Sequence, residues 1–435
     1  MRTNTRNKFV EKTHEGAPAA RHNAEQELRR SVMSCLLWEK SFYESGVDIA
    51  ERIKDLVPYV DANKVAALAI EARSSMNLRH APLWLVRAMA ATKTHRSLVA
   101  DTLEAVIQRP DGLTEFLSLY WDGKKTPVAA QVKKGLARAF RKFSAYQLAK
   151  YNRDNDIKLR DVLFLTHAKP KDAAQAATWK KLVDGNLEAP DTWEVALSSG
   201  ADKQGSWTRL LSEGKLGAFA LLRNLRNMQQ VDVDEGLIND ALAKADVSRI
   251  LPFRFIAAAR YAPDFEPALE QALFRSLESQ KLAGKTVVLV DVSGSMDFDN
   301  ISGKSEMTRL DAACGLAMVL RELCDSVKIY SFSRDVVKIP PRRGFALRDA
   351  IIRSQQHGGT YLGRAVTAAN QEGYDRLVVI TDEQSHDAVS GPDGRGYMLN
   401  VASYKNGVGY GEWTRITGWS EAVVHYIMEI ENANL

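Results

Sequence analysis

The stretch that decides the fold is Thr286-Val287-Val288-Leu289-Val290-Asp291-Val292-Ser293-Gly294-Ser295. Its first five residues are β-branched or apolar, which predicts a buried strand, and the polar residues that follow belong to the loop at its carboxyl end. A second apolar run, Leu377–Ile380, precedes Thr381-Asp382-Glu383 in the same way. Strand and helix patterns alternate after Gly284, and this alternation indicates a doubly wound α/β domain.

Oxygen-bearing side chains are expected to meet at one edge of this sheet, because loops leaving the carboxyl ends of parallel strands converge there. The loops supply two carboxylates and three hydroxyls, an all-oxygen set that suits Mg²⁺, with Mn²⁺ as the alternative. The candidate ligands are Asp291, Ser293, Ser295, Thr360 and Asp382. A set of helix caps without metal is the other interpretation. His357 and His386 lie in the same loops and are interpreted as loop histidines rather than ligands.

Composition excludes several classes of protein. The chain has 435 residues, a hydrophobic content of 45% and a charged content of 26%, values typical of a globular protein with two or three domains. The N-terminus is polar and no apolar run is long enough for a membrane span, so we expect neither a signal peptide nor a membrane partner. The three cysteines are irregularly spaced, which favours reduced thiols in a cytoplasmic protein.

Residues before about 280 have the pattern of a helical domain. Apolar residues recur with helical period in short segments, and Gly or Pro separates them at positions such as Gly46, Pro58 and Pro110. Helices of this kind with short breaks indicate stacked hairpins of the HEAT type. The predicted organisation is an N-terminal arm over residues 1–23, a helical-repeat domain over residues 24–280 and the α/β domain over residues 284–435.

Positive charge is concentrated in the first part of the chain. Residues 1–280 contain 42 Lys and Arg against 35 Asp and Glu, whereas residues 281–435 contain 17 against 19. Gly123–Arg153 holds nine basic residues and no acidic one, a local excess that indicates a polyanionic partner. Those nine residues are Lys124, Lys125, Lys133, Lys134, Arg138, Arg141, Lys142, Lys150 and Arg153.

The basic stretch is predicted to form one amphipathic helix over Thr126–Tyr151. Lys134, Arg138 and Arg141 face away from its apolar side. A solvated surface is the ordinary alternative, but solvated helices usually pair opposite charges four residues apart, and no acidic residue is present here. A membrane-surface helix is disfavoured because the apolar face is only as wide as an ordinary core face. The predicted apolar face consists of Val132, Leu136, Ala139, Phe140 and Phe143.

The three polar segments at the sheet edge resemble the metal-ion-dependent adhesion site of von Willebrand factor A domains, which have a Rossmann-like fold. All five candidate ligands match the pattern of that site. The resemblance implies that the three hydroxyls ligate the cation, and that the two carboxylates ligate it directly or through water.

The chain as a whole resembles the Ro autoantigen family of TROVE-domain RNA-binding proteins, in a prokaryotic-type or phage-type form. The order of a helical domain followed by a von Willebrand factor A domain is that of the family. The matching stretches are Thr13-His14-Glu15-Gly16-Ala17, Asn77-Leu78-Arg79-His80-Ala81-Pro82-Leu83, Tyr146-Gln147-Leu148-Ala149-Lys150-Tyr151, His167-Ala168-Lys169-Pro170, Lys215-Leu216-Gly217, Leu221-Leu222-Arg223-Asn224-Leu225 and Leu251-Pro252-Phe253-Arg254-Phe255.

This resemblance implies a ring of HEAT-like helical repeats closed by the von Willebrand factor A domain. In the family, a small noncoding Y RNA binds the basic outer surface, and single-stranded 3′ ends of misfolded RNA enter a central hole. These proteins act in RNA quality control and in ribonucleoprotein assembly. Lys150, Arg153 and His167 fall where the family contacts Y RNA, and Lys169 lies beside His167. An exoribonuclease or another protein is the partner implied for the metal site.

Two other functions are open at this point. A protein-interaction scaffold would recruit an acidic partner through the cation and use its helices only as structure. A metallohydrolase would need a general base near the cation; Glu383 is adjacent, but its position suggests support of the ligands instead. We therefore expect a monomeric binding protein without catalytic residues.

Overall fold

The structure is a computed structural model of the chain. It describes residues 23–33, 46–74, 78–198, 202–248, 250, 252–277, 281–298, 300–302, 305–401, 407–409, 411–417, 427 and 431. The predicted N-terminal arm, with its Thr13–Ala17 stretch, therefore lies outside the described residues except for Asn23.

The chain divides into two compact units. The helical unit comprises residues 24–38 and 46–210, and the sheet unit comprises residues 1–23, 39–45 and 211–435. The domain limits expected at residues 23, 280 and 284 stay predictions.

The described part of the helical unit consists of short helices around one apolar core. Val65, Leu85, Leu103 and Phe140 are among the fully buried residues of this core. Neighbouring helices contact one another in the pairs α3 with α4, α5 with α7, and α7 with α9. The helices are α1 (Ala24–Met33), α2 (Gly46–Leu56), α3 (Ala62–Ser74), α4 (His80–Ala91), α5 (Val99–Val106), α6 (Asp111–Trp121), α7 (Ala130–Phe140), α8 (Ala145–Tyr151), α9 (Leu159–Thr166), α10 (Ala173–Asp184), α11 (Trp193–Ser198) and α12 (Lys203–Ser212).

The single helix predicted over Thr126–Tyr151 is wrong, because the structure has two helices there, α7 and α8. Ser144 is the cause of the break. Its Oγ accepts a hydrogen bond from Gln147 N at 3.3 Å, and Gln147 Oε1 accepts one from Ser144 N at 3.0 Å. This capping box starts a new helix.

The sheet unit alternates helices with strands after an initial helical part. Its helices are α13 (Ala218–Gln229), α14 (Glu235–Lys244), α15 (Pro252–Tyr261), α16 (Glu266–Ser276), α17 (Gly294–Asp297), α18 (Arg309–Leu323), α19 (Gly344–Ile352) and α20 (Leu362–Asn370). Its strands are β1 (Leu282–Asp291), β2 (Asn300–Ser302), β3 (Ser305–Thr308), β4 (Cys324–Phe332), β5 (Val336–Lys338), β6 (Arg376–Thr381), β7 (Arg395–Asn400) and β8 (Trp413–Thr417).

Six of these strands form one mixed sheet in the order β5-β4-β1-β6-β7-β8. Only the pairing of β4 with β5 is antiparallel within it, and β1 lies between β4 and β6, parallel to both. Every residue of β6 is buried, as expected for a parallel strand covered on both faces. The prediction of a helical part combined with a strand-containing α/β part is confirmed, because the chain is mostly helical and has one mixed six-stranded sheet.

Helix α18 is buried on nearly all sides. It packs against β1 and β4 and also contacts α15 and α19. Cys314 in this helix and Cys324 at the start of β4 are both buried and free. Across the part of the chain that the structure describes, no helix combines the length and the apolar character needed to cross a membrane.

Candidate metal centre and nucleic-acid interface

The predicted metal ligands come from three loops at one edge of the sheet. Asp291 ends β1, and Asp382 follows β6 directly. Because these parallel strands are neighbours, with Val290 paired to Ile380, both carboxylates leave the sheet at the same edge. Ser293 and Ser295 lie at the start of α17 in the β1 loop.

Hydrogen bonds join the three loops pairwise. Gly294 N donates to Gly358 O at 2.9 Å, which links the β1 loop to the loop of Thr360. His386 N donates to Thr360 O at 2.9 Å, which links that loop to the one after β6. Ser295 Oγ donates to Asp382 Oδ2 at 2.5 Å and completes the set. The structure therefore brings together all three segments that the sequence selected.

Thr360 does not follow a strand directly, because its loop lies between α19 and α20. Ser333, just after β4, holds this loop at the sheet edge. Its Oγ accepts a hydrogen bond from Gly358 N at 2.8 Å, and its carbonyl accepts one from Tyr361 N at 3.0 Å. The Thr360 side chain is 3% exposed. Sequence reasoning missed Ser333, whose only signal is its position after the run Ile329–Phe332.

The two carboxylates of this centre are fully buried. Asp291 Oδ1 accepts a hydrogen bond from Ser293 N at 2.8 Å, and its Oδ2 accepts one from Thr381 Oγ1 at 2.6 Å. Burial, and next the negative charge of Asp382, raise the pKa of Asp291 to about 7 in spite of these hydrogen bonds. Two like charges held together away from water are stabilised by a cation.

The hydroxyls complete the candidate centre. Ser293 Oγ lies 3.3 Å from Ser295 Oγ, which in turn donates to Asp382 Oδ2. Among the described residues, no cluster of three or more His, Cys, Asp or Glu side chains is placed to hold a metal ion. A cation at this edge would therefore depend on the hydroxyls as well as the two carboxylates.

Both loop histidines are held by neighbouring loop residues. His357 Nδ1 lies 3.2 Å from Asp297 Oδ2, and its Nε2 lies 3.0 Å from Ile352 O. The His386 ring stacks on Tyr361 with centroids 5.3 Å apart. A Cβ at Gly359 would lie only 3.1 Å from His386 Cε1, so a glycine permits this close approach.

Glu383 has a structural role that sequence reasoning identified only in part. The residue is fully buried and has a positive φ of 62°, an uncommon conformation for a non-glycine residue. Its Oε1 accepts a hydrogen bond from Nε of Arg415, which is itself almost entirely buried. The Glu383 carboxylate is therefore engaged in an ion pair beneath the Asp382 loop.

Arg309 is a further residue that the sequence did not single out. Its Nη1 donates to Ser295 O at 3.1 Å, which fixes the backbone that carries one of the candidate hydroxyls. Nearby, Arg260 Nη2 lies 2.8 Å from both carboxylate oxygens of the buried Asp311. These arginines anchor the start of α18 beside the candidate centre.

The predicted apolar face of the basic stretch is buried as expected. Val132, Leu136, Ala139 and Phe140 are fully buried, and Phe143 is 4% exposed. Of the predicted RNA-binding residues, the exposed ones are Lys124, Lys125, Lys134, Arg141, Lys142, Arg153, His167 and Lys169. Those of intermediate exposure are Lys133, Arg138 and Lys150.

Acidic partners for part of the stretch come from a neighbouring helix. Arg138 forms ion pairs with Asp101 and Glu104 of α5, and Lys142 Nζ donates to the Glu104 carbonyl. The absence of acidic residues within the stretch therefore does not leave all its cations unpaired. Arg138 and Lys142 are placed less favourably for an external anion than the sequence suggested.

The basic stretch and the His167 loop are joined directly. Arg141 Nε donates to Lys169 O at 2.7 Å, and Gln175 Nε2 donates to Arg141 O at 2.9 Å. His167 ends α9 with a positive φ of 51°, a conformation in which His is enriched. The structure thus places His167 and Lys169 beside the end of α7.

The chain is similar to a known protein domain and to a solved structure. The TROVE domain model matches residues 184–306, a segment that runs from the end of α10 into β3. The crystal structure of the Deinococcus radiodurans Ro (RSR) protein is similar, with a TM-score of 0.62 at 20% sequence identity, over 95% of this chain and 100% of that chain. At this identity the likeness shows a shared fold.

Residues 184–306 are thus similar to the TROVE domain, and the chain shares its fold with the Deinococcus Ro protein. Both comparisons agree with the resemblance to the Ro autoantigen family that was predicted from the sequence. The matched segment contains Asp291, Ser293 and Ser295 but begins after the basic stretch, so the individual RNA-binding residues stay predictions from the sequence.

Proposed function

We propose that this protein binds a small noncoding RNA of the Y type on the basic surface of its helical unit. The observation that carries the proposal is a group of cationic or polar side chains that form no ion pair with any residue described by the structure. This group is called the free basic group below. It consists of Lys124, Lys125, Lys133, Lys134, Lys150, Arg153, His167 and Lys169.

Cations without acidic partners supply the sequence-independent part of RNA affinity. Each phosphate that they neutralise releases bound counterions, so affinity falls as salt rises. Lys125 also places its Nζ 5.6 Å from the centroid of the Trp121 ring, which keeps the charge over an aromatic face at the surface. Paired cations such as Arg138 contribute less, because Asp101 and Glu104 already offset their charge.

The second part of the proposed function is capture of single-stranded 3′ ends of misfolded RNA for quality control. The family resemblance implies a hole within a ring of HEAT-like repeats that is closed by the von Willebrand factor A domain. A narrow opening admits a free strand and excludes a folded RNA body. Selection of defective RNA would then need no base sequence, because an unpaired end is itself the feature recognised.

We also propose that a divalent cation, preferably Mg²⁺, is held by Asp291, Ser293, Ser295, Thr360 and Asp382. These residues fit a cation, because two buried carboxylates lie close enough for the charge of one to raise the pKa of the other, and the Ser295 hydroxyl donates to Asp382. When bound, the cation would attract an acidic side chain of a protein partner such as an exoribonuclease. The residues of this chain hold and orient the ion.

A binding role is favoured over hydrolysis. The metallohydrolase reading requires a free general base, and Glu383 is buried and paired with Arg415. We therefore propose that the protein is not an enzyme. We also propose that it acts as a monomer, because a ring closed within one chain needs no partner subunit.

Charge reversal within the free basic group tests the RNA proposal. A variant with Lys124→Glu, Lys125→Glu and Lys134→Glu should lose most of its affinity for a labelled single-stranded RNA. The matched control is Lys54→Glu, also on an exposed helix position of the helical unit but next to Glu51 and Asp55. If the triple variant binds as tightly as the control, the basic surface is not the RNA site.

A further inference from the structure

Helix α9 and the residue that follows it present a narrow exposed strip, of which the assignment of RNA contacts includes only His167. Arg160 and Phe164 lie four residues apart, so they share one face of the helix, and His167 follows directly after the end of α9. All three are exposed. The residues buried on the other side are Leu159, Val162, Leu163 and Thr166.

Phe164 is the unusual member of this strip, with 59% of its surface exposed. A single exposed apolar residue is ordinary on protein surfaces, so exposure alone carries no function. The Phe164 ring, however, contacts no other aromatic ring or cation among the described residues. One face of an aromatic ring is therefore open to a ligand.

The setting of Phe164 is cationic. Arg160 precedes it by one turn, and its charge contributes, after that of Lys158, to lowering the pKa of Asp154. His167 and Lys169 follow it, and Arg141 holds their loop by its hydrogen bond to Lys169 O. The strip thus has positive or titratable groups on both sides of the ring and belongs to the same surface as the free basic group.

Two of the three nearby carboxylates are already occupied, and the third, that of Asp156, is exposed. Asp161 Oδ2 accepts a hydrogen bond from Lys158 N at 2.8 Å and caps the start of α9. Asp154 Oδ1 lies 2.5 Å from Lys158 Nζ. These contacts reduce the repulsion that the two acidic residues would exert on a phosphate backbone passing along the strip.

We propose that the strip Arg160–Phe164–His167 is a stacking surface for unpaired nucleobases, with the Phe164 ring as its central platform. This inference rests on the proposed RNA-binding function and names the part of the RNA that α9 would contact. A base stacks on an aromatic ring irrespective of its identity, while a guanidinium plane or an imidazole can extend the stack. Bases inside a duplex are covered by their neighbours, so the strip selects single-stranded segments.

Stacking and phosphate contact differ in their response to salt, and this difference defines the test. Loss of a stacked base lowers affinity without changing the number of counterions released, whereas loss of a lysine changes both. We would measure binding of a short labelled single-stranded RNA, and of an abasic strand of the same length, across a salt series. The variants are Phe164→Ala, Phe164→Leu and Phe164→Trp.

Phe164→Ala and Phe164→Leu should weaken binding of the normal strand roughly 5- to 150-fold, the range that corresponds to ~1–3 kcal/mol for one stacked base. The slope of log K against log salt should not change. Phe164→Trp should retain the affinity, because it keeps an aromatic plane. The abasic strand should bind all variants equally well.

The matched control is Tyr59→Ala, because Tyr59 is 80% exposed but lies between Asp55 and Asp61. It should leave RNA affinity unchanged. If Phe164→Ala binds the normal strand like the wild type while the wild type itself binds RNA, the strip is not a stacking surface and the proposed function stands. If Phe164→Leu binds like the wild type, the side chain acts only through apolar burial, which also contradicts the inference. If the wild type binds neither strand, the proposed function fails instead.

Discussion

The guanidinium of Arg141 donates a hydrogen bond from Nε to the carbonyl oxygen of Lys169 over 2.7 Å, between residues 28 positions apart. This bond joins the end of α7 to the loop that follows α9. It therefore connects the basic stretch with the histidine loop, two segments that sequence reasoning had assigned to RNA on separate grounds. Position, in addition to charge, makes Arg141 important at this surface.

Replacement of Arg141 by lysine separates position from charge. The Arg141→Lys variant keeps the charge but cannot reproduce the planar Nε–H contact, so the loop of His167 and Lys169 should lose its anchor. We expect RNA affinity to fall roughly 2- to 12-fold, the equivalent of one hydrogen bond of ~0.5–1.5 kcal/mol. The measurement is equilibrium binding of labelled RNA.

The control for this variant is Lys134→Arg, which also exchanges one cation for the other but breaks no hydrogen bond among the described residues. It should bind RNA like the wild type. Equal affinities of Arg141→Lys and wild type would show that the loop is positioned by other contacts.

Lys134 and Arg138 should behave differently although they lie on one helix. Lys134 has no acidic partner among the described residues, so Lys134→Gln should lower affinity and reduce the salt slope by about 0.7. Arg138 is paired with Asp101 and Glu104, so Arg138→Gln should leave the slope unchanged and lower the unfolding temperature slightly. Salt-dependent binding and thermal unfolding of both variants provide the comparison. A larger slope change for Arg138→Gln than for Lys134→Gln would refute the distinction.

The difference between these two residues also shows where sequence reasoning ends. The periodicity of Val132, Leu136 and Phe140 predicted the buried face correctly, because a helical period is a local property. The partners of Arg138 are more than 30 residues away along the chain, and only the packing of α5 against α7 brings them close. The break between α7 and α8 was visible in principle, since Ser144 and Gln147 have capping-box spacing.

The candidate metal centre predicts a metal-dependent gain in stability. Wild-type protein should unfold at a higher temperature as Mg²⁺ is added, because a ligand that binds only the folded state stabilises it. Asp291→Asn should abolish this gain. Without metal, the same substitution should cost little stability or even raise it, since it removes one of two buried like charges. RNA affinity should be unchanged.

Thermal unfolding with and without Mg²⁺ distinguishes these outcomes. Asp297→Asn is a suitable control, because Asp297 is exposed and contacts His357 instead of the candidate ligands. If Mg²⁺ stabilises the wild type and Asp291→Asn equally, the ion binds elsewhere. If it stabilises neither, the interpretation as helix caps without metal is favoured.

A buried ion pair should set the acid sensitivity of the sheet unit. Arg376 Nε donates to Glu431 Oε1 at 2.6 Å, and Tyr397 Oη donates to the same oxygen at 2.9 Å. Burial would raise the pKa of Glu431, but the hydrogen bonds and charge of Arg376 outweigh it, so the pKa lies below its usual value of 4.5. The stabilisation is therefore complete above pH 4.5 and is lost as pH falls through the folded-state pKa.

Glu431→Gln should lower the free energy of unfolding by about 3 kcal/mol at neutral pH, because it leaves Arg376 buried without its counter-charge. The variant should also lose less stability than the wild type between pH 5 and pH 3, a window of about two pH units around the usual glutamate pKa. Denaturant unfolding at several pH values measures both effects. If the free energy of unfolding falls equally steeply with decreasing pH in both proteins, the protonation of Glu431 is not coupled to unfolding.

The candidate metal centre at the sheet edge could also be predicted only in part from the sequence. Asp291 and Asp382 were predictable, since each follows an apolar run and parallel strands end at a common edge. Ser333, Arg309 and Arg415, which hold the loops in place, have no motif of their own. Their roles depend on where β4, α18 and β8 lie in the folded unit. Ligand types could thus be predicted from the sequence, while the contacts that orient them could not.

The most direct test of the central claim is RNA binding with two matched ligands across a salt series. One is a plain duplex, and the other is the same duplex with a single-stranded 3′ tail. The account predicts clear preference for the tailed RNA, with log K falling by roughly 0.7 per single-strand phosphate contact for each tenfold rise in salt. Equal weak binding of the two RNAs, or no binding at all, would contradict it.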